Sequence, residues 1–229
     1  MPKPLIVAID GPAGAGKSTL ARRLASKLGF VYIDTGAMYR AVALWAVRAG
    51  VDLSDAHKLE QLARAANIEF QAGSAQILLN GEDVTEAIRA PELSDAASRV
   101  STFAGVRRAL VEKQRALAAT SSVVMEGRDI GTVVFPDAEV KIFLDARPEE
   151  RAVRRARELK EKGLTVSQEE IARQIAERDA RDRTRKQAPL MQAPDAIYLD
   201  STSLSLDEVE EYVLRLVRER TANGKQRSQ

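Results

Sequence analysis

The sequence predicts an α/β fold, a parallel sheet core flanked by helices with two insertions. Three observations carry that prediction. Residues 5–9, 31–33 and 196–199 are continuous apolar runs, and 122–125 and 140–144 are apolar but for Ser122 and Lys141, as expected of strands covered on both faces. Helical patterns lie between the runs, which implies parallel, doubly wound connections. The turn from the first run to the first helix reads GPAGAGKS, a fit to G-x-x-x-x-G-K-S/T with a strand before it and a helix after it. The core is therefore expected to be a P-loop sheet, one whose first turn wraps phosphate.

In chain order, the first helix carries Leu20, Leu24 and Leu28 on one face and ends near Gly29. The second strand leads into a helix over about 36–49, with Met38, Val42 and Trp45 on one side. Residues 68–70, 76–79 and 82–84 are short strand candidates joined by Gly73-Ser74 and Asn80-Gly81. The second dipeptide is a strong two-residue hairpin signal, so a small antiparallel meander is expected apart from the core. Residues 147–186 hold 13 basic and 9 acidic residues and read as two charged helices around Gly163. The polar tail, 221–229, is expected to fray.

Composition narrows the chemistry. The chain has 229 residues, 45% hydrophobic and 30% charged, with a net charge of +2. That balance argues against coating nucleic acid by bulk electrostatics. With no cysteine there is no disulfide scaffold, thiolate metal site or cysteine nucleophile. One histidine, His57, leaves a Ser-His-Asp triad only if that residue serves it. No apolar run approaches the roughly 20 residues that span a bilayer, and the short apolar start is too brief for a secretion signal. A cytoplasmic protein with no membrane partner is expected. The basic residues are 25 arginines and 10 lysines. Either a GC-rich genome or a need for planar phosphate-binding forks explains that excess.

The P-loop supplies amides and a helix N-terminus for phosphates. The expected ATP-binding set is Gly11, Pro12, Ala13, Gly14, Ala15, Gly16, Lys17, Ser18 and Thr19. Lys17 reaches the β- and γ-phosphates, and the Ser18 hydroxyl is the candidate ligand for Mg²⁺. The guanine and switch patterns of a GTPase, N-K-x-D and D-x-x-G, occur nowhere in the chain. Small-molecule kinases then lead, and a kinase needs a second anion site. DTGAMYR (34–40) offers Thr35 and Arg40, or else an ordinary helix N-cap and a surface arginine. EGRDIG (126–131) offers Arg128 and Asp129, or else a turn with an ion pair. Arg178, Arg181, Asp182 and Arg185 fall at helical spacing on one face, as a cover for anions or as a solvated, ion-paired surface.

GPAGAGKS, DTGAMYR, AASRVS, VRRAL, EGRDIGTVVFPDA, KIFLDA and ERDARDRTR, taken together in this order, resemble the bacterial cytidylate kinases. GRDIGTVVFPDA is the most specific segment, and the resemblance covers nearly the whole chain. It implies transfer of the γ-phosphoryl of MgATP to CMP or dCMP, and a monomer of one domain is expected. The core is expected at about 1–35, 105–147 and 188–220. An acceptor-binding insert carrying the meander spans about 36–104, and a lid about 148–187. The resemblance places the acceptor phosphate among Thr35, Arg40 and Arg128. It assigns the ribose to Arg178 and Asp182, and the cytosine to Ser98, Arg107, Asp129 and Arg185. Lys17, Arg128, Arg178 and Arg181 are the expected catalytic cations. Thr35 stands where relatives often carry serine, and Glu126 where they often carry aspartate. The alternatives are a kinase for UMP or AMP, or an ATP-dependent switch or remodelling module.

Overall fold

The computed structural model describes residues 4–71, 76–161 and 163–226, the last six as backbone only. In chain order the core begins with β1 (Ile6–Asp10), α1 (Lys17–Leu28), β2 (Val31–Asp34) and α2 (Thr35–Arg48). The chain continues with α3 (Ala56–Ala65), β3 (Ile68–Phe70), β4 (Ile77–Leu79), β5 (Glu82–Asp83), α4 (Pro91–Val100) and α5 (Ala104–Leu117). Then follow β6 (Val123–Gly127), β7 (Val140–Asp145), α6 (Pro148–Glu161), α7 (Gln168–Thr184), β8 (Ile197–Asp200) and α8 (Leu206–Gln226).

Five strands form a sheet in the order β2-β6-β1-β7-β8, every pair parallel, and β3-β4-β5 form a separate antiparallel meander. All five expected core strands are present. Each ends one or two residues later than its apolar run. Four of them end on aspartate: Asp10, Asp34, Asp145 and Asp200. The ladder thus carries the chain past the edge of the core and sets carboxylates along one rim of the sheet, where ligands of open α/β sheets bind.

Two apolar layers cover the sheet. Leu20, Leu24, Val124, Ile142 and Val213 are buried together on one side. Ala8, Ile33, Met125 and Ile130 are buried on the other. The insert has its own core around Met38, Val42, Leu59, Val84 and Leu110, against which Trp45 packs half-buried as the expected anchor. His57 is exposed beside Gln61, at 3.1 Å. The meander matches its expected strands to within a residue or so, although Gly73-Ser74 lies outside the described residues. The tail differs from expectation. Rather than fraying at 221, α8 continues to Gln226, and 227–229 lie outside the described residues. At the start of α8 and in its first turns, Asp207 and the buried Glu210 pair with Arg23 and Lys27 of α1, which anchors the helix.

Gly11 is the tightest point of the core. A Cβ there would lie 1.9 Å from the carbonyl oxygen of Leu144, at a φ of +150°. Gly29 also has positive φ, +67°, but a Cβ would meet nothing within 4 Å. Gly11→Ala should therefore cost about 3 kcal/mol or more, and Gly29→Ala only about 1–2 kcal/mol. Urea unfolding of the two variants checks the difference, and equal midpoints would refute it.

Candidate active site

At the P-loop, Gly16 caps α1 in a left-handed conformation, φ 92°, with no side-chain acceptor on the first-turn amides. Those amides and the helix dipole are left to attract an anion. Lys17 is buried and folds back so that its Nζ donates to the Pro12 carbonyl at 2.6 Å. Burial, with Arg128 nearby, lowers its pKa to about 7. An arriving polyanion reverses that effect by stabilising the charged form. Ser18 and Thr19 are exposed at the start of the helix.

Asp10 ties this loop to the next strand. Its two carboxylate oxygens accept from the amides of Ile130 at 2.8 Å and Gly131 at 2.7 Å. Burial raises Asp10 to about 6 against the opposing pull of those two amides. The turn carrying Arg128 and Asp129 is thereby fixed to the root of the P-loop.

The expected acceptor residues gather beyond the ends of β2 and β6 and along α5 and α7. Asp34 caps α2, accepting from the Ala37 amide at 2.9 Å and from Arg40 at 2.8 Å. Burial alone would raise Asp34, yet Arg40 and the amide hold it below the usual carboxylate range. The Thr35 hydroxyl donates to the Glu126 carbonyl at 2.6 Å. Arg128 donates through Nε to Asp182 at 2.8 Å and through Nη1 to the Gly127 carbonyl at 3.1 Å. Arg107 pairs with buried Asp129, and Arg185 Nη2 approaches the same carboxylate at 3.5 Å. Arg107 also lies over the Tyr39 ring, 5.8 Å from its centroid.

Among the described residues, six buried side-chain polar atoms lack a hydrogen-bond partner. Four of them, Arg40 Nε, Ser98 Oγ, Arg178 Nε and Arg185 Nη2, belong to expected acceptor-site residues. Unpartnered buried donors are costly unless a ligand supplies acceptors. Burial, with Arg128 beside it, lowers Arg178 to about 10. The single charged face expected on α7 needs correcting. Arg178, Asp182 and Arg185 join the cluster, whereas Arg181 is at the rim, donating to Asp95 of α4 at 2.8 Å. A helical wheel cannot see that α4 draws this one arginine aside.

The family model described as cytidylate kinase matches residues 7–219. The chain belongs to the cytidylate kinase family. It is 63% identical over 225 residues to a cytidylate kinase of Solibacter usitatus, covering 97% of this chain and 96% of that protein. A cytidylate kinase of Pelotomaculum thermopropionicum is 53% identical, covering 92% of this chain and 95% of its own. One from a Geobacter species is 51% identical, covering 96% and 95%.

Sequence reasoning missed several residues of this cytidylate kinase family site. Asp10 is the acid at the end of the first apolar run, and that position was a usable signal. Tyr32 donates to Glu126 at 2.6 Å. The Glu126 carboxyl is raised by burial and by Asp34. Arg151 and Asp179 reach the P-loop from α6 and α7, and no spacing rule marks them out from their charged neighbours.

Proposed function

We propose that the protein moves the γ-phosphoryl of MgATP to the phosphate of CMP or dCMP, giving ADP and CDP or dCDP. The observation that carries this reading is the set of buried donors on Arg40, Ser98, Arg178 and Arg185 that lack a hydrogen-bond partner, beside a P-loop whose root Asp10 ties to the turn carrying Arg128 and Asp129. Two polyanions have to approach, and fixed cations between them offset the repulsion. Lys17 would hold the donor phosphates, Arg128 and Arg178 the transferring group, and Thr35 and Arg40 the acceptor phosphate. Arg181, from its place at the rim, would join the transferring group when α7 closes. Ser98, Arg107, Asp129 and Arg185 would read cytosine, with Asp182 on the ribose. The attacking oxygen is already ionised, so no general base is required.

Residues for Mg²⁺ fit the same reading. The Ser18 hydroxyl stands beside the Glu126 carboxyl, an all-oxygen pair suited to a hard cation. When bound with the nucleotide, Mg²⁺ neutralises charge on the phosphates. The working unit in this reading is one chain, with a core, an insert over about 36–104 and a lid over about 148–187.

A coupled ADP-release assay across CMP, dCMP, UMP, AMP and GMP tests the proposal. Turnover confined to CMP and dCMP is expected. Preference for another monophosphate would refute it, as would ATP consumption without a nucleoside diphosphate product. Closure of the lid is tested by amide exchange. Residues 168–184 should become more protected with ATP and CMP together, and unchanged exchange would contradict closure.

A further inference from the structure

Asp179 and Arg151 lie outside every role assigned above, yet they make the most direct contact between the charged helices and the P-loop. Both are buried, at 6% and 4% exposure. Asp179 accepts from the Ala13 amide at 3.2 Å through Oδ1, and from Arg151 Nη1 through Oδ2. The same Nη1 donates to the Ala13 carbonyl at 2.9 Å, while Arg151 Nε donates to the Ala146 carbonyl at 3.0 Å. Ala13, inside the phosphate-binding loop, thus has both backbone groups held by side chains of α6 and α7. Arg151 belongs on the core side of this arrangement, because Ala146 follows directly on β7 and Gly14 packs against the Arg151 backbone. Its neighbour Arg154 is fixed likewise, donating to the Ser201 side chain at 2.9 Å and its carbonyl at 2.7 Å.

Helix α7 is therefore tied at two points one turn apart. Asp179 holds it to the P-loop, and Asp182 holds it to Arg128 on the acceptor side. Arg178 is adjacent to the first tie. From these contacts we infer that Arg151 and Asp179 are positioning residues: a latch that seats α7 on Ala13 and so aims Arg178 between the two phosphate sites. The inference rests on the kinase reading above for its kinetic consequence, but not for the latch itself. Neither side chain has to touch substrate. An aimed cation lowers the barrier only while its geometry holds, and a displacement of about 1 Å costs about 10²-fold.

The experiment compares wild type with Asp179→Ala, Asp179→Asn and Arg151→Lys in the full chain. Asp179→Ala should lower kcat by about 10²-fold, with KM for CMP changed by no more than about threefold, the pattern of a transition-state interaction. Asn still accepts from the Ala13 amide, so Asp179→Asn should recover about tenfold of that loss. Arg151→Lys keeps a cation but not the fork that spans Ala13, Ala146 and Asp179, and should lose kcat as Asp179→Ala does. A kcat within about twofold of wild type in Asp179→Ala would overturn the latch. So would losses that follow melting temperature across the three variants. Amide exchange at Ala13 in the ligand-free protein separates the two readings. Faster exchange in Asp179→Ala supports the latch even where the acceptor screen rejects CMP, and unchanged exchange overturns it.

Discussion

Lys17→Ala and Arg128→Ala should each remove most phosphoryl transfer, by about 10³-fold or more in kcat, and leave the fold in place. Among the described residues, the buried Lys17 ammonium donates only to the Pro12 carbonyl, so its charge is poised for a phosphate rather than used in a structural ion pair. Arg128 is different, because it already pairs with Asp182. Burial works against its charge, and Asp182 more than compensates, raising its pKa. Removing Arg128 leaves Asp182 with Arg178 as a neighbouring countercharge, which is why folding should survive. Loss of a cation that acts on developing charge falls on kcat more than on ground-state binding. Circular dichroism and steady-state kinetics decide the matter. Unfolded spectra, or turnover near that of wild type, would refute the assignment.

The second large effect concerns the base. Cytosine offers an amino donor at C4 and a bare acceptor at N3, whereas uracil offers a carbonyl and an N–H. Asp129 is held between Arg107 and Arg185, so one carboxylate and two guanidiniums are already arranged as acceptor and donors. Uracil would face the carboxylate with its own carbonyl, leaving buried groups unsatisfied. Sites built this way discriminate by up to about 10⁴–10⁵-fold. Asp129→Ala should cut kcat/KM for CMP far more than for UMP, narrowing the ratio by about 10–100-fold. An unchanged ratio would show that Asp129 only orients its two arginines.

Much of this was legible in the chain because the signals are local. A buried parallel strand is apolar along most of its length, so residues 5–9, and 140–144 apart from Lys141, announced themselves. The Asn80-Gly81 turn did the same for the meander, with Asn80 at φ 53° and Gly81 at φ 85°. What stayed hidden depends on approach between distant elements. The insert helices α3–α5 have polar outer faces and short apolar ones, and their pattern gains meaning only against Met38 and Val42. Arg151 looks like any other arginine in a charged run until α6 brings it under Ala13. Arg181 shares its spacing with Arg178, but Asp95, 86 residues away, decides where it points.

The sheet order has a wider consequence. β1 and β6 are hydrogen-bonded neighbours in register, Asp10 opposite Gly127, and β1 hands its chain to the P-loop while β6 hands its chain to the turn carrying Arg128 and Asp129. Adjacent strands are about 4.8 Å apart whatever their sequence. The backbone therefore works as a ruler, fixing the gap between the two turns before any loop is specified. The segments packed around these turns can then change in size without altering the gap between them. Exchanging the β3–β5 meander between relatives should leave the spacing of the turns as it is.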